Sequence, residues 1–265
     1  MLTYAEPNMI PDLTALWQCC FGDSEDYISF FMTRRFQPEG TVVWLEGGRA
    51  VGAIYLLPCK IGIQEARYCY AVGVSPEYRG RGICAAMLAA AETWCVSRQM
   101  PLFCAPRAGM ADYYRQRGYQ DAFFCRWVEF SPTGHADELA PTEVESAQYM
   151  RLRNQALPQQ GLVRWDEPAV EYALAEHRLC GGFAHLLSWQ GEDYLLLGQQ
   201  EARGLVLTET TLPEGLLAKL APSLCASYGG NRLFCRLPSP QGGEMTGVCF
   251  GSVTWSSGWL GLEII

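Results

Sequence analysis

Tyr68-Cys69-Tyr70-Ala71-Val72-Gly73-Val74-Ser75-Pro76-Glu77-Tyr78-Arg79-Gly80-Arg81-Gly82-Ile83 is the stretch whose reading decides the fold. Its first seven residues form an apolar, aromatic-rich run of strand length. Ser75-Pro76 ends the run, because proline fixes its own φ and disfavours helix at the residue before it. From Ile83 to Arg98 there is neither glycine nor proline, and Ile83, Met87, Ala90, Ala91, Trp94 and Cys95 recur at helical spacing. That pattern predicts a helix with one buried face. The loop between strand and helix carries Gly80 and Gly82, which let backbone approach a ligand closely. The first turn of the helix adds unpaired amide N–H groups and the positive end of its dipole. Arg79 and Arg81 contribute guanidinium groups suited to phosphate. The expected ligand end is a pyrophosphate; an ordinary glycine turn flanked by solvated arginines is the other reading of the same residues.

Three phosphate-loop patterns compete for this stretch. A Walker loop needs a glycine-lysine pair, and the chain has none. The dinucleotide fingerprint fits Gly80-Arg81-Gly82-Ile83-Cys84-Ala85. Its first glycine, however, normally follows the strand directly, with an acidic residue about 20 positions on. Here Ser75 to Arg79 intervene, and the next apolar run, Pro101–Cys104, leads to Arg107 rather than to a carboxylate.

The third pattern fits better. Val74-Ser75-Pro76-Glu77-Tyr78-Arg79-Gly80-Arg81-Gly82 resembles the acyl-CoA signature of the GNAT superfamily of N-acetyltransferases, with Arg79 and Gly82 in matching positions and Cys84 where glycine or alanine is usual. Tyr114-Arg115-Gln116-Arg117-Gly118-Tyr119 resembles a second element of that family, whose tyrosine commonly serves as general acid. The likeness covers residues 1–130 or so. It implies acetyl-CoA as cosubstrate, no metal, and a primary amine of a small molecule or peptide as acceptor. Backbone groups of Val72, Gly73 and Val74 would pair with the pantetheine arm, and one N–H would polarise the thioester carbonyl. Amides of Gly80, Arg81, Gly82, Ile83 and Cys84, with the Arg79 side chain, would hold the pyrophosphate. Tyr114 would protonate the departing thiolate. Adjacent helical tyrosines face different ways, so only one of Tyr113 and Tyr114 enters a cleft; the residues leave that choice open and the family register favours Tyr114. No general base is legible on the central strand; Glu65, just before it, and Glu46, at the first hairpin, are the carboxylates that could act through water. A non-catalytic acyl-CoA-binding module and a dinucleotide enzyme using Gly80–Ala85 are the alternatives.

Across its 265 residues the chain is 49% hydrophobic and 18% charged, which predicts a globular protein with ample core. Lys+Arg 20 against Asp+Glu 28 gives −8, a balance that disfavours nucleic acid and anionic membranes as partners. No apolar run is long enough to span a bilayer, and Met1–Pro7 lacks the regions of a signal peptide, so the expected location is the cytoplasm. The twelve cysteines are scattered, without a C-x-x-C and without histidines at zinc-site spacing. They are expected to be small buried hydrophobes in a reducing compartment.

Two amphipathic helices (Asn8–Phe21, and one capped by Asp23 or Ser24) and a hairpin through Gly47-Gly48 precede the central strand. Pro101–Cys104, Met110–Arg117 and Phe123–Phe130 then read as strand, helix and strand. Ser131–Pro141 is polar and unperiodic, a linker at 132–141. After it, Thr142-Glu143-Val144-Glu145 reads as a capping box opening a helix, and Asp166 with Pro168 starts another. Phe183–Trp189, Tyr194–Leu197 and Leu205–Leu212 read as strands, Pro213–Ser227 as a helix and Leu233–Leu237 as a strand. Two helices, three strands, helix, strand repeats the order of the first part. The expected architecture is therefore an α/β (α+β) GNAT-type fold, a mixed and mostly antiparallel sheet flanked by helices, in a domain at 1–131. A similar but degenerate copy without the cofactor loop would fill 142–265. An unrelated α+β domain of like order is the other possibility.

Overall fold

The computed structural model describes residues 1–239 and 242–262. The chain divides into two compact units: Met1–Asp121 with Gly247–Thr254, and Ala122–Thr246 with the residues from Trp255 onward.

The first unit opens with strand β1 (Leu2–Tyr4), helix α1 (Ile10–Phe21) and helix α2 (Glu25–Arg34). Gly22 stops α1 in the left-handed conformation (φ 79°) with its N–H on the Gln18 carbonyl at 2.9 Å. Ser24 then caps α2 through the Tyr27 N–H. Leu13, Leu16 and Trp17 of α1 and Ile28, Phe31 and Met32 of α2 are buried. Each such side chain contributes about 1.5–3 kcal/mol of burial. Strands β2 (Thr41–Glu46), β3 (Arg49–Ile61) and β4 (Gln64–Val74) follow, then helix α3 (Ile83–Val96), strand β5 (Leu102–Cys104) and helix α4 (Ala111–Arg115). The strands pair antiparallel in the order β1-β2-β3-β4, and β5 joins β4 in parallel. On its other side β5 pairs antiparallel with Val248–Phe250, a piece of chain more than 140 residues away.

The second unit contains most of strand β6 (Gln120–Phe130), then β7 (Thr142–Glu143), α5 (Ser146–Ala156), β8 (Val163–Arg164) and α6 (Glu167–Leu179). Strands β9 (Phe183–Trp189), β10 (Glu192–Glu201) and β11 (Gly204–Thr210) lead to helix α7 (Glu214–Tyr228), strand β12 (Leu233–Pro238) and β13 (Glu244–Phe250). Its sheet runs β6-β12-β11-β10-β9-β7, antiparallel except for β11 with β12. Leu205, Leu207, Leu217, Leu220, Leu224 and Leu233 form the core between this sheet and α7.

The mixed, mostly antiparallel sheets flanked by helices are those expected from the sequence. With the two-residue β8 set aside, the element order α-α-β-β-β-α-β recurs in both units, and among the described residues the last two strands of each run pair in parallel. Residues 131–141 carry no helix or strand. The capping-box expectation at Thr142–Glu145 fails. Thr142 and Glu143 pair instead with Leu186 and His185, Val144 N–H follows onto the Ala184 carbonyl, and α5 starts only at Ser146 behind an uncapped Glu145. An open strand edge at β9 outcompetes a local cap there.

Candidate active site

Everything at the site follows from how β4 ends. Along β3 and β4 the register runs Tyr55 with Tyr70, then Ala53 with Gly73, so Ala71 and Val72 together oppose Ile54 alone. This is a β-bulge. Ala71 takes φ 46°, a conformation that costs a non-glycine residue about 1–3 kcal/mol and concentrates at functional sites. On the far edge, β4 meets β5 only through Arg67 with Leu102 and Tyr68 with Phe103. Beyond Tyr68 the two parallel strands are no longer paired, so the backbone of Val72, Gly73 and Val74 has no ladder partner on the β5 side. Gly73 is buried beneath α1; a Cβ there would stand 3.2 Å from Cys20 Sγ and 3.3 Å from Phe21 Cε2.

The loop after β4 leads into the tip of α3. Gly80 (φ 73°) and Gly82 (φ 76°) are both left-handed, and the space where their Cβ atoms would stand is empty. Gly82 is the N-cap residue, no side chain caps the helix, and no acidic residue lies in its first turn. The first helical bond is Ala86 N–H to the Gly82 carbonyl, so Ile83, Cys84 and Ala85 present amides without intrahelical acceptors. The tip is fixed against the sheet by Ile83, 4% exposed, and Met87, which pack where Gly52 of β3 has no side chain. A Cβ at Gly52 would lie 2.9 Å from Met87 Cε, so glycine is what lets α3 sit this close.

The two arginines are less free than the sequence suggests. Arg79 Nε donates to the Val74 carbonyl at 3.0 Å, and its guanidinium also meets the Cys20 thiol. Arg81 stacks on the Tyr78 ring at 5.0 Å and donates to the Glu77 carbonyl at 3.1 Å. Arg79 thus ties the loop to the end of β4 and to α1.

Helix α4 sets two phenols beside these elements. Tyr114, 7% exposed, hydrogen-bonds the thiol of Cys104 at the end of β5 and packs edge-on against Tyr119 at 5.2 Å. Burial, with the neighbouring thiols second, holds its phenol above the ordinary range, so it keeps its proton. The half-buried Tyr113 hydrogen-bonds the Cys84 thiol in the first turn of α3, and burial pushes it up to about 12. A bidentate ion pair from Arg117 to the buried Glu92 (3.0 and 3.1 Å) fixes the end of this segment to α3. Both tyrosines therefore border the loop region, Tyr114 at the strand end and Tyr113 at the helix tip.

The two carboxylates Glu65 and Glu46 each have a partner. Glu65 pairs with Lys60 at 3.0 Å at the opposite end of β4, about 30 Å from Val74 by strand rise. Glu46 accepts from Trp44 Nε1 at 2.8 Å. The dinucleotide reading of Gly80–Ala85 fails on topology, since the sheet it sits in is antiparallel apart from β4 with β5. No cluster of histidine, cysteine or acidic side chains suited to a metal occurs among the described residues. No helix among the described residues is long and apolar enough to cross a membrane. Sequence reasoning missed a small hollow under the end of α1, between Trp17 and Phe21 on one side and Ala71 and Gly73 on the other. Its residues come from three elements, and no motif joins them.

Residues 2–122, which make up most of the first unit, match the model of the acetyltransferase (GNAT) domain family. Solved structures extend the likeness of fold through both units. A conserved protein of unknown function from Enterococcus faecalis V583 superposes with a TM-score of 0.73 at 12% identity, covering 95% of this chain and 72% of that one. GCN5-related N-acetyltransferases from Kribbella flavida (TM-score 0.66, 19% identity, 91% of this chain) and Anabaena variabilis ATCC 29413 (0.66, 18%, 94%) are similar. The chain spans 64% and 70% of the length of those two proteins. At these identities the likeness is one of fold. No curated protein sequence matches the chain.

Proposed function

We propose that the first unit is an acetyl-CoA-dependent N-acetyltransferase that moves the acetyl group to a primary amine of a small molecule or peptide. The observation that carries this reading is the pairing of an open, uncapped α3 tip with a β4 edge that parts from β5 at Tyr68. Amides of Gly80 to Cys84, with Ala85, suit a diphosphate, and backbone groups of Val72–Val74 suit a pantetheine laid along the free strand edge. An N–H of the bulge is the donor for the thioester carbonyl oxygen. In direct transfer a neutral amine attacks the thioester carbon, the C–N bond forms as the C–S bond breaks, the departing sulfur takes a proton from an acid, and the nitrogen releases one proton to water, which restores that acid. Tyr114 is the acid: it is protonated, and its hydroxyl lies at the end of β5. The second unit is a degenerate copy of the same fold.

Acetyl-CoA should raise the melting temperature of the chain. CoA thiol should be released on mixing with one or more of a panel of amino acids, polyamines, aminoglycosides and peptides with free N-termini. The pairing of Glu65 with Lys60 at the far end of β4, and of Glu46 with Trp44, favours a second reading, a non-catalytic acyl-CoA-binding module. Thermal protection without thiol release from any amine would select it. Protection by NADPH and not by acetyl-CoA would refute both.

A further inference from the structure

We propose that a cleft between α1 and the turn after β4 is a second small-molecule site, that it takes an α-amino acid with a cationic side chain, and that its occupant strengthens CoA binding. The last part rests on the acyl-CoA reading above. The cleft has a volume of about 220 Å³. Sites for drug-sized ligands run to about 300–1,000 Å³, so this one suits a smaller metabolite of amino-acid size. One wall is Asp12, Ala15, Leu16 and Cys19, a single stripe of α1 at helical spacing. The facing wall is Arg49–Val51 at the start of β3, with Ser75, Glu77 and Tyr78 of the turn. The cleft is separate from the strand edge assigned to the cofactor. β3 flanks β4 on the side away from β5. A Cβ on Gly52 would meet Met87 of α3, so its neighbour Val51 faces the other way, toward α1.

Charge selects the ligand. Asp12, Arg49 and Glu77 bring both signs to one cleft, yet among the described residues their side chains make no hydrogen bond and no ion pair. A guanidinium held apart from two carboxylates suits a ligand that is itself divided. Arg49 matches a carboxylate, and Asp12 and Glu77 match two cationic groups. An α-amino acid with a cationic side chain carries one anion and two cations on one short skeleton, and Leu16 and Val51 offer apolar contact to its methylenes. A diamine would leave Arg49 unmatched, and an amino acid with an apolar side chain would leave one carboxylate unmatched. The facing wall also leads into the phosphate loop. The turn Pro76–Tyr78 runs directly into Arg79 and Gly80. The Tyr78 ring carries the Arg81 guanidinium at 5.0 Å, and the Glu77 carbonyl accepts from Arg81 at 3.1 Å. A ligand that steadies this turn steadies the loop, and the two binding events are reciprocally linked.

The test is isothermal titration of the full chain with lysine and arginine. Norleucine, which lacks the side-chain cation, and cadaverine, which lacks the carboxylate, are the controls. Lysine or arginine should bind at least about tenfold more tightly than either control. In Arg49→Ala the advantage over cadaverine should vanish; in Asp12→Asn or Glu77→Gln the advantage over norleucine should fall. Saturating free CoA, which has no acetyl group to transfer, should tighten the amino acid about fivefold or more. Failure of both amino acids to bind, or an affinity that none of the three variants moves, would overturn the site. An affinity unmoved by CoA, in a chain that binds CoA, would overturn the link to the loop. Failure of CoA to bind while the amino acid binds as expected would overturn the acyl-CoA reading and leave the site standing.

Discussion

The two units share a topology and differ where a cofactor would sit. Each has two helices, three antiparallel strands, a helix and a parallel strand, and each has one extra residue near the end of its third strand. In β4 the bulge lies at Ala71–Val72; in β11 it is Thr208, between Leu207 paired with Gly198 and Glu209 paired with Leu197. The helix that follows in the first unit starts at an uncapped glycine with no acidic residue in its first turn. In the second unit it starts behind Pro213 with Glu214 in its first turn, and Arg126 holds that carboxylate below its usual range through a hydrogen-bonded ion pair. An incoming phosphate would meet a resident anion there. The bulge region is filled as well: Arg236 Nε donates to the Thr208 carbonyl at 3.1 Å. Fully buried Glu209 accepts from Tyr149, from Arg153 Nε at 2.8 Å and from Trp259 Nε1 at 2.7 Å. Topology sets where a cleft can form, and side chains at the helix tip and bulge decide whether it is a site or a core.

The sharpest way to break this comparison is to remove the filler. Glu209→Ala leaves the Arg153 guanidinium, 2% exposed, without its carboxylate, and leaves the Tyr149 and Trp259 donors unmatched. The expected loss is about 3–5 kcal/mol of unfolding free energy in urea titrations. A loss below about 1 kcal/mol would show that the network is not what holds the second unit together.

Next in size are two changes on the open side. Tyr114→Phe should lower turnover with acetyl-CoA by about 10²–10⁴-fold while leaving its affinity unchanged, as measured by thiol release and calorimetry. Equal losses in Tyr113→Phe would dissolve the distinction between the phenol on Cys104 and the phenol on Cys84. Arg79→Ala should weaken acetyl-CoA binding by about 1.5–3 kcal/mol. Part of that loss would arise because Arg79 also steadies the Val74 carbonyl at the end of β4. Unchanged affinity would remove the α3 tip as the phosphate seat.

Much of the open side is legible in the sequence because its signals are local. Pro76, Gly80 and Gly82 punctuate one continuous strand-loop-helix, and positive φ at both glycines is the physical reason they are needed. The filled side is not legible, because Tyr149, Arg153, Glu209 and Trp259 are spread over more than 100 residues and each reads alone as an ordinary surface or core type. The same holds for Val248–Phe250, a strand of the first unit supplied from the far end of the chain. The hollow at Phe21 and the hold of Arg79 on Val74 likewise depend on contacts between elements. Local chemistry can be read along the chain; which groups fill a cleft depends on tertiary packing.

The smallest expected difference concerns acid. All three histidines of the chain lie within the second unit, and the first has none. His177 is 4% exposed, donates from Nε2 to the Gly198 carbonyl at 2.8 Å, and has its pKa lowered below 6.5, chiefly by burial. His185, beside Tyr228, is lowered for the same leading cause. A lowered folded pKa means that the unfolded chain binds more protons just below pH 6.5, so stability falls as pH drops from there toward the folded values. Unfolding in urea followed by a probe in the second unit should therefore shift to lower denaturant between pH 7 and pH 5. His177→Gln, which cannot titrate, should flatten that shift while costing some stability at pH 7. An identical pH slope in the variant would assign the acid sensitivity to His185 or to carboxylates instead.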